Sequence, residues 1–259
     1  MSETWLKPHI PDNFVSLSGY QLLRHDREGR GGGGIGLYVR DGMGARILAS
    51  SPQQYCAQPE YLFLSISPAK GRPLLFSVIY RPPKLGYISA FQTDFECLHP
   101  SFSAAVIIGD FNIDLNCSSH DTDNLLNFCS FNHLFIVPYQ DTHFTFSSHT
   151  RIDHCLLSDQ SLIISSHQQP LSFLSSHDLI EITLDLLVHR TPPRPISIRD
   201  YSSFDITRFL QTLQHFNWSV FTLHISLDEK ISILNSHLIN ARDLHAPTRS
   251  FLAKRPPAP

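Results

Sequence analysis

No apolar run in this sequence approaches the roughly 20 residues that cross a bilayer; the greasiest stretches, such as 104–108, are strand-sized. A membrane protein is not expected. Cysteine is sparse and unpatterned: Cys56, Cys97, Cys117, Cys129 and Cys155 form no CxxC pair. With no charged-then-apolar leader at the start, the expectation is a reduced, intracellular compartment. A surplus of positive charge is missing too, since 20 Lys+Arg stand against 23 Asp+Glu for a formal charge of -3. No global basic field draws the chain to nucleic acid, so any such binding must rest on a local site. The 15 histidines show neither HExxH nor paired zinc-ligand spacing, which leaves a zinc site without support. Internal repeats are absent.

What the sequence does hold is apolar material: 42% hydrophobic and 11% aromatic over 259 residues, enough to bury one large core. Up to about residue 186 the pattern is one of short apolar runs between turn residues. It predicts strands over 35–39, 61–66, 74–80, 104–108, 155–157 and 179–187. Two helix-like stretches interrupt them, at 88–98 and 122–131, the second with Leu125, Leu126, Cys129 and Phe131 roughly on one face. A mixed α/β domain with mostly antiparallel strands follows. At 190–195 a proline-rich joint can continue neither sheet nor helix, and the domain boundary is placed there, giving 1–189 and 190–259. In the second segment Ser203 is a candidate cap for a helix through 205–213. Ser226 is a candidate cap for another, with Ile231, Leu234, Leu238 and Ala241 on one stripe. This segment is expected to be small and helical. It ends at 254–259 in a stiff, proline-rich tail, as if cut from something longer.

The most informative string is Val106-Ile107-Ile108-Gly109-Asp110-Phe111-Asn112, an apolar strand that ends in glycine and then presents an acid and an amide two residues apart. Strand alternation puts Asp110 and Asn112 on the same side. A carboxylate there can take a proton from water, and the amide can orient a phosphate oxygen or the nucleophile. Read alone, the string is equally a Gly-Asp turn after a buried strand. Upstream, Phe76 to Tyr80 is another buried strand, ending in Tyr80-Arg81-Pro82-Pro83. Tyr80 can donate to a phosphate or pack at a sheet rim. Downstream, Asp153 precedes one strand and His177 another; brought together they would make an oriented acid/base pair.

In order and context these pieces resemble the endonuclease/exonuclease/phosphatase superfamily, and within it the apurinic-type endonucleases of non-LTR, jockey-like retrotransposons. The resembling features run from Glu3-Thr4-Trp5-Leu6 through the glycine run into Ile35 and on to Tyr80-Arg81-Pro82-Pro83 and Gly109-Asp110-Phe111-Asn112. Phe144-Thr145-Phe146, Arg151-Ile152-Asp153 and Ser175-Ser176-His177-Asp178 complete them. The resemblance implies a four-layer α/β sandwich of two mainly antiparallel sheets flanked by helices. It implies a magnesium- or manganese-dependent phosphodiesterase that nicks DNA through its phosphate backbone in the nucleus. The segment after 190 then looks like the linker to a reverse transcriptase in the same polyprotein. By the same resemblance Glu3 holds the metal, Asp110 activates water and Asn112 holds that water or a phosphate oxygen. Tyr80 stabilises the phosphate, Asp153 orients His177, and Thr145 and Thr150 support the DNA backbone or the site.

Two departures stand out. The family's first strand, which carries an asparagine beside the metal, would precede Glu3 and is missing. Ser176 offers a hydroxyl where the family motif carries a carboxylate. With residue 178 on the opposite face of a strand, Asp178 is not expected to substitute. Impaired nicking is therefore expected. The alternatives are an inert remnant with residual nucleic-acid or protein binding, and a phosphoesterase for small or lipid phosphates, which the retrotransposon-like linker disfavours. A GxGxxG string over 31–36 is set aside as a nucleotide loop, because a polar stretch at 24–30, expected to be a solvated loop, precedes it and a strand follows.

Overall fold

Strands whose successive residues feed two apolar faces build the centre of the first of two compact units, Met1–Arg190 and Thr191–Pro259. The structure is a computed structural model and describes residues 1–68, 72–85, 87–171, 174–186, 194–222 and 224–253. The joint at 190–193 and the tail at 254–259 lie outside the described residues. In chain order the first unit carries β1 (Tyr20–His25), β2 (Ile35–Arg40), β3 (Gly44–Ser50), β4 (Glu60–Ser67), β5 (Leu74–Tyr80), α1 (Ser89–Leu98) and β6 (Ala105–Asp110). After these come α2 (His120–Phe131), β7 (Phe135–Ile136), β8 (His143–Phe144), β9 (His149–Thr150), β10 (Asp153–Leu157), β11 (Ile163–Gln169) and β12 (Leu179–Leu184).

Six of these strands form one sheet in the order β3-β4-β5-β6-β10-β7. Only β5 and β6 run parallel; α1 provides the crossover that a parallel pair needs. Alternation sorts the side chains cleanly. Tyr61, Phe63, Leu75, Ile79, Ile107 and Leu156 point to one face, where Phe91 and Phe95 of α1 and Leu125 and Phe128 of α2 cover them. Leu62, Leu64, Val78, Val106, Cys155 and Leu157 point to the other, against Ile35 of β2 and Leu23, Ile163, Ile180 and Ile182 of the neighbouring hairpins. The aromatic cluster on the helix side is dense, with Phe91 stacked at 5.0 Å on Phe63 and edge-on to Phe128 at 6.0 Å. Such pairs add about 0.5–1.5 kcal/mol each beyond their buried area. Truncating Phe91 to alanine would cost about 3–5 kcal/mol.

This is the predicted α/β sandwich, with its second sheet divided among the described residues into two hairpins, β1–β2 and β11–β12. The predicted strands and both helices of this unit fall within a few residues of their observed limits. Strands β1, β3, β7, β8, β9 and β11 are additions. The stretch at 24–30 is only partly the expected solvated loop: 28–30 are exposed, but His25, Asp26 and Arg27 are buried, and Arg27 pairs with the buried Glu60, whose other oxygen accepts the Gly34 amide at 2.6 Å. A strand therefore precedes the glycine run. A strand also follows it, so no helix N-terminus is available to hold a nucleotide phosphate.

The second unit pairs β13 (Arg194–Arg199) antiparallel with β14 (Thr248–Ala253) and carries α3 (Ile206–Gln214) and α4 (Leu227–His245). It is not purely helical, as the two strands show. Asp205 rather than Ser203 caps α3, accepting the amides of Thr207 and Arg208 at 2.8 and 3.2 Å. Ser226 caps α4 in a capping box with Glu229.

Candidate active site

Register does the assembling. Tyr80, Asp110 and Asp153 stand opposite one another on the adjacent strands β5, β6 and β10, at the end of the sheet where β5 and β6 finish and the antiparallel β10 begins. His177 comes from the segment before β12 and forms a bridge with His143. One ligand atom each of Asp110, Asp153 and His177 lie within 4.8 Å of one another. A cavity of about 450 Å³ opens over them, with Glu3, Gly109, Ser175 and Asp178 also in its wall.

The polar partners are specific. Asp153 Oδ2 lies 2.8 Å from His177 Nδ1, which directs Nε2 away from the pair. This bond raises the His177 pKa and outweighs the opposing effect of partial burial. Burial and then the facing carboxylate of Asp153 push Asp110 up to about 7. Asp110 accepts the Asn112 amide at 2.9 Å on one oxygen and the Asn112 side-chain Nδ2 at 3.0 Å on the other. The Tyr80 hydroxyl donates to Glu3, and burial together with that bond holds its pKa well above the ordinary value. Tyr80 therefore stays a hydrogen-bond donor at any physiological pH.

Several placements differ from expectation. Asp110 and Asn112 do meet, but not through strand alternation: β6 ends at Asp110, and Asn112 turns back in a left-handed conformation with φ 47°. Asn112 Nδ2 is spent on Asp110 and on the Arg81 carbonyl at 2.8 Å, leaving Oδ1 to meet anything else. Thr145 sits at the exposed tip of the β8–β9 hairpin, where its hydroxyl accepts the Ser147 and Ser148 amides; it is not in the cavity wall. Thr150 reaches the site only indirectly, through a 3.3 Å contact with His143 Nδ1. Ser176 is exposed, and its carbonyl accepts the Phe144 amide at 2.8 Å. Asp178 lines the same cavity as His177, because β12 begins only at Leu179 and strand alternation does not yet apply. Gln168 holds its carboxylate at 2.9 Å.

Two residues with no mark in the sequence belong here. Buried Thr142 accepts the Ile152 and Asp153 amides on its hydroxyl at 3.2 and 3.0 Å, and its carbonyl accepts the Asp178 amide at 2.8 Å. It thereby ties the Asp153 and His177 segments together. His143 places its ring 4.5 Å from that of His177. One threonine and one of 15 histidines carried no signal that would single them out.

The donor set suits a hard divalent cation. The facing carboxylates of Asp110 and Asp153, both buried, repel each other when both are ionised, and a cation between oxygen donors relieves that repulsion. Asp110 and Asp153 could hold such an ion, with Glu3 in the same cavity wall.

Residues 74–181 of the first unit match the family model described as Endonuclease-reverse transcriptase. Among solved structures, the chain is similar to the 3′ phosphatase NExo from Neisseria, at 16% identity and a TM-score of 0.55 over 71% of this chain and 87% of that one. It is also similar to an endonuclease/exonuclease/phosphatase family protein from Leptotrichia buccalis, at 15% identity and a TM-score of 0.50 over 67% and 74%. A third similar structure is the endonuclease domain of TRAS1, a telomere-specific non-LTR retrotransposon, at 14% identity and a TM-score of 0.49 over 65% and 80%. No curated protein matches the chain.

Proposed function

We propose that the first unit is a divalent-metal-dependent phosphodiesterase that nicks one strand of DNA. On this reading it is the endonuclease portion of a jockey-like, non-LTR retrotransposon polyprotein acting in the nucleus, with a reverse transcriptase in cis. The observation that carries the reading is the convergence of Asp110, Asp153 and His177 at one cavity. The Endonuclease-reverse transcriptase match over 74–181 supports the choice of DNA over other phosphate esters.

Magnesium or manganese, when bound, supplies positive charge to the scissile phosphate. The chain's own groups do the rest. Asp110, raised toward neutrality by burial, accepts the proton of the attacking water. Asn112 holds both oxygens of Asp110 and so fixes the direction from which that proton is taken. His177, oriented by Asp153, presents Nε2 and its positive charge to the pentacovalent phosphorus. Tyr80 keeps its hydroxyl proton and would offer it toward the phosphate. Breaking the bond to the 3′ oxygen leaves the 3′ hydroxyl that reverse transcription needs as a primer.

Ser176 brings no charge where the family motif has a carboxylate, and the Asp178 carboxylate in the same cavity wall is engaged by Gln168. The rate is therefore reduced, and an inert remnant is the second reading. Nicking of supercoiled plasmid with magnesium, against EDTA and Asp110→Ala controls, tests both. Magnesium-dependent nicking that Asp110→Ala abolishes, and that Ser176→Asp raises by about 10²-fold, is the expected result. A folded chain that does not nick, with or without Ser176→Asp, establishes the remnant.

A further inference from the structure

Arg81 is almost wholly buried, with 1% of its surface exposed, although a buried guanidinium is costly unless each of its nitrogens is engaged. Several of its engagements fall on the 110–112 turn. The Arg81 amide donates to the Asp110 carbonyl at 2.8 Å, and the Arg81 carbonyl accepts Asn112 Nδ2 at 2.8 Å. Nη1 reaches the carbonyls of Phe111 and Asn112 at 3.4 and 3.2 Å. Nη2 reaches the Leu85 carbonyl and, at 2.5 Å, the Asp121 carboxylate at the start of α2.

Asn112 has φ 47°, a left-handed conformation that asparagine tolerates, and the contacts from Arg81 hold the turn in it. The same Asn112 bonds both oxygens of Asp110. The order of dependence therefore runs from Arg81 to the turn, from the turn to Asn112, and from Asn112 to the orientation of the Asp110 carboxylate.

We propose that Arg81 is a positioning residue: it clamps the Asp110–Phe111–Asn112 turn and so sets the carboxylate that takes the proton from water. This rests on the phosphodiesterase reading of the site. Lysine cannot replace it, because one ammonium lacks the planar fork that spans two carbonyls on one side and a carboxylate on the other.

The test uses the full chain and two readouts. In plasmid nicking, Arg81→Lys is expected to lower kcat by about 10²-fold, the scale of a misplaced reacting group, with KM within about twofold. Added to Asn112→Ala it should cost little more, since both act through one contact; additive losses would overturn the clamp. The second readout needs no activity. The Asn112 side-chain amide, assigned by its loss in Asn112→Ala, should be protected from solvent exchange in the parent and exposed in Arg81→Lys. An unchanged Asn112 signal, or a folded Arg81→Lys with parental kcat, overturns the proposal. If Arg81→Lys does not fold, Asp121→Asn, which frees one end of the guanidinium, should weaken the same protection; no change there also overturns it. A parent that does not nick fails the reading of the site, and the Asn112 protection then decides the clamp by itself.

Discussion

His154 follows Asp153 in sequence and points into the core rather than the cavity. It is 1% exposed, and its Nε2 is 2.8 Å from the Ile113 carbonyl, so the neutral ring is satisfied by donating one proton. A second proton would place a charge on a buried ring, and burial lowers its pKa from 6.5 to about 4. The consequence for stability has a definite sign. Above pH 6.5 neither folded nor unfolded chain binds this proton, and stability is full. Between 6.5 and 4 the unfolded chain takes the proton and the folded one refuses it, so stability falls as pH falls. From pH 7 to pH 5 the loss from this residue is roughly 2 kcal/mol, at about 1.4 kcal/mol per pH unit. Urea unfolding at the two pH values checks it: the parent should lose roughly that much more than His154→Gln, which keeps an N–H donor. Equal losses in both chains would remove His154 from the account.

At the level of elements, β6 shows how much a strand can announce in advance. Its apolar run, its glycine and its terminal acid were legible because period-2 burial and strand-end chemistry are local properties. The same holds for Tyr80 at the end of β5 and Asp153 at the start of β10. What was not legible depends on segments far apart in the chain: Arg81 reaching Asn112 and Asp121, or Thr142 fastening Asp153 and Asp178. Nor could alternation foresee that Asn112 rejoins Asp110 through a left-handed turn, or that Asp178 precedes the regular strand. Gly109 has a reason of its own in this geometry. It takes φ 157°, and a Cβ added there would stand 1.9 Å from the Ile79 carbonyl oxygen of the neighbouring strand. The parallel β5–β6 pair has no room to yield, because buried residues pack both of its faces. Gly109→Ala is expected to destabilise the first unit by about 2–4 kcal/mol, within the range of strain and overpacking effects, and to displace Asp110 next to it. Chemical denaturation measures the first effect. A change below about 0.5 kcal/mol would mean that the sheet accommodates the methyl group.

Over the whole molecule the two units differ in how they bury apolar surface. The first encloses Phe63, Phe91, Phe95, Phe111 and Phe128 almost completely. Among the described residues of the second, the only hydrophobic side chains that are fully buried are those of Ala241 and Ala246, while Ile206, Leu210, Leu227 and Leu244 remain at least half exposed. The caps and apolar stripe of this segment predicted helices, and the family resemblance implied a linker. The sequence could not show that the stripe encloses so little, because enclosure depends on the pairing of β13 with β14 across some 50 residues, a spacing that leaves no periodic trace. Burial of large side chains at about 25 cal/mol per Å² is the main source of cooperative stability. The second unit should therefore open at a far lower free energy than the sheet of the first. Hydrogen exchange on the full chain tests this. Amides of α4 are expected to exchange at least about 10²-fold faster than those of β4, β5 and β6, a gap of roughly 3 kcal/mol in opening free energy. Limited proteolysis should likewise remove the second unit before it cuts within Met1–Arg190. Protection of α4 equal to that of β5 would show that the exposed stripe is covered in solution, and would make the two units a single cooperative structure.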